Sequence, residues 1–233
     1  MINLQLVETE VKALLAADNT GHGFEHVERV YRTAMKLAQA EAVDLDVVAL
    51  AALLHDADDY KLFGAECAEN LTNAKAIMHK AGVPADKQQA VCSVIANMGY
   101  SKALKGIRPV SAEGKVVSDA DMLDAMGALG VMRTLAYALA RCETAVFDRN
   151  VWPELNLSAE EYKKPNRKSD NFVNHFFEKL LRLKNMMMTA VGKKEAEKRH
   201  QFMVGFLRQF FEEQGCADWV EFLQRYEGEN KAA

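Results

Sequence analysis

Four prolines and 13 glycines are sparse punctuation for 233 residues. Long stretches rich in Ala, Leu, Met, Glu and Lys are left with nothing to interrupt a helix. No run approaches the roughly twenty apolar residues that span a bilayer. The first residues, Met1 to Glu8, lack a basic n-region and a long apolar h-region, so no signal peptide is expected and the expected home is the cytoplasm. Cys67, Cys92, Cys142 and Cys216 are scattered and form no CxxC pair, which argues against a zinc knuckle. Cys92 and Cys142 sit among apolar neighbours and read as small buried hydrophobes. Excess positive charge is also missing: the formal net charge is -4, which gives no electrostatic reason to bind nucleic acid. There is no hairpin signal, no internal repeat and no low-complexity tract.

What remains is helix. Apolar residues recur with a helical period over 3–17, about 25–42, 65–81, 85–97, 115–141, 170–190 and 193–214, with a shorter helix after Cys216. Asp44 is placed to cap a helix that carries the apolar run Val47 to Leu54 and ends at His55. Gly99 to Gly114 reads as a loop. Residues 148–169 have the most loop-like composition, with Ser158 and Glu161 spaced as a capping box, and suggest an exposed, lid-like excursion. The basic residues Lys163, Lys164, Arg167 and Lys168 there read as a solvated run. Phenylalanines at helical spacing from Phe172 to Phe211 read as core. The fold class is all-α, in one domain: a metal-binding core over about 20–141, then the excursion and C-terminal helices over about 142–227, packed on that core.

The chemistry concentrates in a few polar residues. His55 and Asp56 close the apolar run, His26 lies upstream and Asp121 lies downstream, in the order H…HD…D. Burying an imidazole and a carboxylate without partners is costly. A shared metal ion removes that cost for all four groups together. Two imidazoles and two carboxylates suit Mn, Fe, Co, Ni or Zn, and no thiolate is present to select a soft ion. His22 and His26 share a helix face at i, i+4 spacing. For His79, His175 and His200 a hydrogen-bonded structural reading is preferred.

The order His26, His55-Asp56, Asp121 resembles the HD-domain metal-dependent phosphohydrolases. The likeness extends to His22-x-x-x-His26-x-x-Arg29-Val30, Leu53-Leu54-His55-Asp56, Asp119-Ala120-Asp121-x-Leu123-Asp124-Ala125, and His175-Phe176-x-x-Lys179-Leu180-Leu181 with Met188-Thr189 and Gly192-Lys193. It covers about residues 20 to 210 and points to a stand-alone bacterial branch. It implies an HD-type helical bundle holding one divalent metal ion (Mn, Fe, Co, Ni, Zn or Mg) on His26, His55, Asp56 and Asp121. Related branches carry the last ligand in an Ala-Asp-Arg-like segment, whose register matches Asp121; Asp119 is the runner-up or an outer orienting group. Two positions depart from the branch pattern: Gly23 stands where relatives have Asp, and Met98 where they often have His. Both weaken the case for a second metal.

The resemblance further implies that a metal-activated water cleaves a phosphoester or phosphoanhydride of a small metabolite, with a nucleotide favoured. An acidic pair stands at Asp58 and Asp59 in such enzymes, and a carboxylate there can orient or deprotonate the water. Lys61 and Arg29 are the nearest cations for a phosphate, and Arg29 could equally hold a neighbouring carboxylate. Two other readings stay open: a phosphodiesterase for cyclic or linear dinucleotides, and a module that binds metal and nucleotide without turnover. The expected partner is a small phosphorylated substrate, with neither nucleic acid nor membrane, and the oligomeric state is open.

Overall fold

The helix Leu45–Leu54 is apolar on every side, and each residue from Val47 to Leu54 is buried. A helix of that kind must be surrounded by others. In the computed structural model it is. Residues 2–16, 23–141, 146–164, 167 and 169–231 are described, and they fall into two compact units. The first comprises Met1–Asp124 with Met187–Gly192. Its helices are α1 (Leu4–Leu14), α2 (Phe24–Ala38), α3 (Leu45–Leu54), α4 (Tyr60–Phe63), α5 (Ala65–Asn70), α6 (Thr72–Lys80), α7 (Ala85–Asn97), α8 (Tyr100–Ala103) and α9 (Ala112–Asp124). α3 packs against α1, α2, α7 and α9, and α2 also packs against α9.

Local chemistry sets the ends of these helices. Asn3 caps α1 by accepting from Leu6 N, and Asp44 caps α3 by accepting from Asp46 N at 2.9 Å and Val47 N at 3.3 Å. The continuous helix expected over 65–81 is two helices instead. Leu71 adopts a left-handed conformation, φ 51° and ψ 49°, and breaks it. Leu71 offers no capping side chain to α6. Asp58 caps that helix from fifteen residues away: its Oδ1 accepts from Asn73 N at 2.7 Å and its Oδ2 from Ala74 N at 2.9 Å. Asn73 returns a bond from Nδ2 to Ala57 O at 2.8 Å, so the turn after α3 and the start of α6 are tied together. The loop expected over 99–114 contains α8, and α9 already begins at Ala112.

The second unit comprises Ala125–Met186 and Lys193–Ala233. It carries α10 (Gly127–Arg141), α11 (Ala159–Lys163), α12 (Phe172–Glu178), a 3-10 stretch over Leu180–Met186, most of α13 (Ala190–Glu213), and α14 (Ala217–Lys231). The helix expected over 115–141 stops at Asp124, and a new one starts at Gly127, whose φ is +72°. A side chain there would be strained and would meet Arg199 at 3.1 Å. The helix expected over 170–190 breaks at Lys179, which leaves helical geometry at φ -138°.

The core of this unit is aromatic. Phe176, Phe177, Phe211 and Trp219 are fully buried, and Trp152 stacks on Trp219 with ring centroids 4.3 Å apart. Phe202, read from sequence as core, is half exposed. The capping box at Ser158 and Glu161 forms as expected. The described residues of 148–169 are fastened at several points: Trp152 by its stack, Leu157 and Ala159 by burial, and Arg167 through Nη2 to Glu178 Oε2 at 2.8 Å. Lys168 lies outside the described residues, as does Cys142. No helix among the described residues is long and apolar enough to cross a membrane.

The all-round burial of α3 has a direct consequence. Leu53→Ala, at a side chain with 0% exposure, should lower stability by about 2–5 kcal/mol. Urea or thermal unfolding monitored by circular dichroism checks this; a loss below about 1 kcal/mol would mean α3 is not the packed centre described.

Candidate metal centre

Three helices of the first unit deliver the polar groups. His26 sits in the first turn of α2. His55 and Asp56 follow the last residue of α3, where the apolar run ends and polar side chains first become possible. Asp121 and Asp124 lie one turn apart near the end of α9. Because α2, α3 and α9 pack on one another, these ends meet.

His26 Nε2 and His55 Nε2 are 3.2 Å apart. Asp56 Oδ2 lies 3.5 Å from the first and 3.6 Å from the second. Asp121 Oδ1 lies 3.5 Å from His26 Nε2 and 3.8 Å from His55 Nε2. An ion held at about 2.1 Å sets neighbouring ligand atoms about 3.0 Å apart in an octahedron and about 3.4 Å apart in a tetrahedron. The observed spacings, 3.2 to 3.8 Å, lie around the tetrahedral value and above the octahedral one. His26, His55 and Asp56 alone form a group whose ligand atoms all lie within 4.8 Å of one another.

The far side of each ring fixes its tautomer. His55 Nδ1 lies 2.8 Å from Ala52 O, which can only accept, so Nδ1 carries the proton. His26 Nδ1 lies 2.7 Å from Asp124 Oδ2, a carboxylate that also accepts from Arg29, so here too Nδ1 is the donor. In the neutral form of each ring Nε2 is then the lone-pair nitrogen, and the two Nε2 atoms face one another across 3.2 Å. Two such lone pairs repel unless an electron-pair acceptor stands between them. A divalent cation meets that need, and the two carboxylates supply the compensating charge.

The charges around the group point the same way. Burial by itself would push the Asp121 carboxyl up, but a hydrogen bond from His26 and positive charge at His55 and His26 more than offset this and hold it below the usual carboxylate range, so this carboxylate favours positive charge beside it, imidazolium or metal ion. Arg29 is bidentate on Asp124, Nε to Oδ1 at 2.8 Å and Nη2 to Oδ2 at 3.0 Å, and this bond raises the guanidinium above its ordinary value despite partial burial. The chain Arg29, Asp124, His26 orients the imidazole from behind. Exposure is uneven: the His26 and His55 side chains are 3% exposed, Asp56 14% and Asp121 27%. The group opens to solvent on its carboxylate side.

The other expected residues are placed as follows. Asp119 is not among the groups facing the imidazoles; it is fully buried and accepts from Met188 and Thr189. Asp58, expected as a base, has both oxygens engaged by Asn73 N, Ala74 N and the Cys67 thiol, the last at 3.0 Å, and is 4% exposed. That carboxylate also raises the Cys67 thiol above its ordinary value. Asp59 caps α4, with Oδ1 accepting from Lys61 N at 2.9 Å. Lys61 is exposed, with its ammonium 6.0 Å from the Tyr60 ring. His22 lies outside the described residues. Gly23 serves as the extended residue before α2, and Met98 is buried.

From sequence, Asp124 is only a residue that could cap or pair. Its i+3 spacing from Asp121, matched by the i+3 spacing of Arg29 from His26, is the signal that both lie beside the ligand faces.

Asp124→Asn should weaken Mn²⁺ binding by about ten- to a hundred-fold, because the group that orients His26 and keeps its Nδ1 protonated loses its charge. Isothermal titration calorimetry reads this. Asp58→Ala should instead cost about 1–3 kcal/mol of stability, since two backbone N–H groups lose their cap, while Mn²⁺ affinity stays within a few-fold of wild type.

The pattern of the HD domain family matches residues 23–126. Over 204 residues the chain is 34% identical to YpgQ of Bacillus subtilis, covering 87% of this chain and 89% of that one. Among solved structures, a Lactobacillus plantarum protein is similar with a TM-score of 0.79 at 34% identity, covering 92% of this chain and 99% of the other. An HD-superfamily hydrolase from Bacillus thuringiensis is similar at TM-score 0.69 and 32% identity, covering 91% of this chain and 96% of its own. A crystal structure of YpgQ in complex with ADP gives TM-score 0.66 and 28% identity, covering 91% of this chain and 97% of that one. With two imidazoles and two carboxylates converging in the order these motifs require, the chain belongs to the HD-domain phosphohydrolase superfamily.

Proposed function

We propose that this protein is a metal-dependent phosphohydrolase that cleaves a phosphoester or phosphoanhydride bond of a nucleotide. The observation that carries the reading is the convergence of two imidazole Nε2 atoms, 3.2 Å apart, with Asp56 and Asp121 beside them. His26, His55, Asp56 and Asp121 are the residues that would hold one divalent ion. Such an ion lowers the pKa of water and polarises a phosphoryl oxygen. The donor set is compatible with Mn, Fe, Co, Ni or Zn, and with Mg in a more hydrated form.

The chain's own residues supply the rest. Asp59 is the better proton acceptor of the acidic pair. It spends Oδ1 on Lys61 N and keeps Oδ2 for a water or substrate proton, whereas Asp58 is buried and committed to capping α6. Lys61, exposed at the start of α4, can neutralise a phosphate as a point charge. Arg29 is bound to Asp124 and serves the imidazole rather than the substrate. The nucleotide class is supported by the ADP complex of YpgQ.

The deciding experiment supplies purified protein with Mn²⁺, Co²⁺, Ni²⁺ or Mg²⁺ and follows phosphate and pyrophosphate release from nucleoside mono-, di- and triphosphates, with bis(p-nitrophenyl) phosphate as a diester control. Nucleotide turnover dependent on metal is expected. Nucleotide binding with metal in place but no product would select the module that binds without turnover. Cleavage of the diester alone would select the phosphodiesterase.

Within that assay, Asp59→Ala should reduce kcat by about a hundred-fold. Asp58→Ala should retain most of the wild-type rate per folded molecule. The reverse ranking of these two variants, with both folded, would return the proton-accepting role to Asp58.

A further inference from the structure

Asp119 is a fully buried carboxylate whose hydrogen bonds come from Met188 and Thr189. Oδ2 accepts from Thr189 Oγ1 at 2.7 Å and from Thr189 N at 2.8 Å, and Met188 N donates to Oδ1 at 2.9 Å and to Oδ2 at 3.1 Å. The Thr189 hydroxyl in turn accepts from Gly192 N at 3.0 Å, which caps the start of α13. The fit leaves no slack. A Cβ added at Gly192 would lie 2.3 Å from Asp119 Oδ2 and 2.7 Å from Thr189 Oγ1, so only glycine lets the helix start approach the carboxylate this closely.

The place of this clamp on α9 gives it a consequence. Asp119 precedes Asp121 by two residues, so the two side chains leave the helix about 200° apart. One side of α9 is tied to segment 187–192 through Asp119. The other carries Asp121 to the imidazoles and Asp124 to His26 and Arg29. A helix tied on one side only can turn about its own axis, and a small turn moves a ligand oxygen by a large fraction of a metal–ligand bond. Burying a carboxylate is costly, the pull of Arg108 does not offset the desolvation that raises the Asp119 carboxyl, and such burial brings no stability that an apolar residue could not match. It does bring short, directional bonds.

We propose that Asp119 is a positioning residue. Through Met188, Thr189 and Gly192 it fixes the rotation of α9 that presents Asp121 to the metal. This rests on the metal reading given above, and it assigns Asp119 no contact with the ion or with substrate.

The test measures Mn²⁺ affinity by isothermal titration calorimetry, alongside the thermal midpoint of the metal-free protein, in wild type, Asp119→Asn, Thr189→Val and Thr189→Ser. The amide of Asp119→Asn turns an NH₂ towards donors and should weaken Mn²⁺ binding at least ten-fold. Thr189→Val keeps the shape and loses the hydroxyl, and should weaken binding several-fold. Thr189→Ser restores the hydroxyl and should restore affinity. A purely structural Asp119 would lower the thermal midpoint and leave Mn²⁺ affinity within two-fold of wild type, and that outcome overturns the proposal. Should Asp119→Asn fail to fold, the Thr189 pair decides by the same criterion. Wild-type protein that takes up no Mn²⁺ would refute the metal reading, and this inference with it. Normal wild-type uptake with unchanged variants would refute this inference alone.

Discussion

Two imidazole nitrogens face one another across 3.2 Å, and the hydrogen bond on the far side of each ring leaves the facing nitrogen as the lone-pair site of the neutral imidazole. That arrangement is unfavourable by itself and must be imposed. Ala52 O, one turn back in α3, imposes it on His55. Asp124, reaching from α9, imposes it on His26. The arrangement becomes favourable once a cation accepts both lone pairs. The rest of the first unit can be understood as the scaffold that keeps these two rings from relaxing apart.

The scaffold works because α3 is apolar and buried on every side from Val47 to Leu54, with no exposed face there along which to slide. Its partners fix it from several directions, and polar residues appear only at its two ends, Asp46 in the first turn and His55-Asp56 after the last. Arg29 and Asp124 add a second constraint. A bidentate ion pair, with Asp124 3% exposed, is a poor source of net stability. It is well suited to holding a carboxylate in one orientation with its charge intact. The same logic covers Asp119, whose value lies in direction rather than in energy. Three aspartates beside this centre thus serve its geometry: Asp124 aims a ring, Asp119 anchors a helix, and Asp58 caps one.

Asp58 and Asp59 show how much a neighbour's backbone can decide. In sequence they are an acidic pair two and three residues beyond the ligands, and nothing in composition separates them. The separation comes from Leu71, whose left-handed conformation starts a helix with no side chain of its own to cap it. A distant carboxylate must take that place, and Asp58 is the one within reach. Asp59 is left with an open oxygen. Similarly, one expected helix over 115–141 is two, with Gly127 at a positive φ of +72° where the second begins, and Asp124 stands at a helix end beside His26.

The amino-acid sequence alone was enough for the all-α class, because helical periodicity with so little proline and glycine leaves few alternatives. It was enough to single out His26, His55, Asp56 and Asp121, which lie side by side in the structure, because an apolar run ending in His-Asp has to satisfy those groups somewhere. It was enough for the caps at Asp44 and Ser158, which depend on residues three apart. Tertiary structure decided what depends on partners far along the chain: that Asp121 and not Asp119 faces the imidazoles, that Arg29 holds Asp124, and that Asp58 caps α6. These outcomes rest on contacts between residues 15 to 98 positions apart. Local spacing specifies which face of a helix a side chain leaves, and only packing specifies what that face meets.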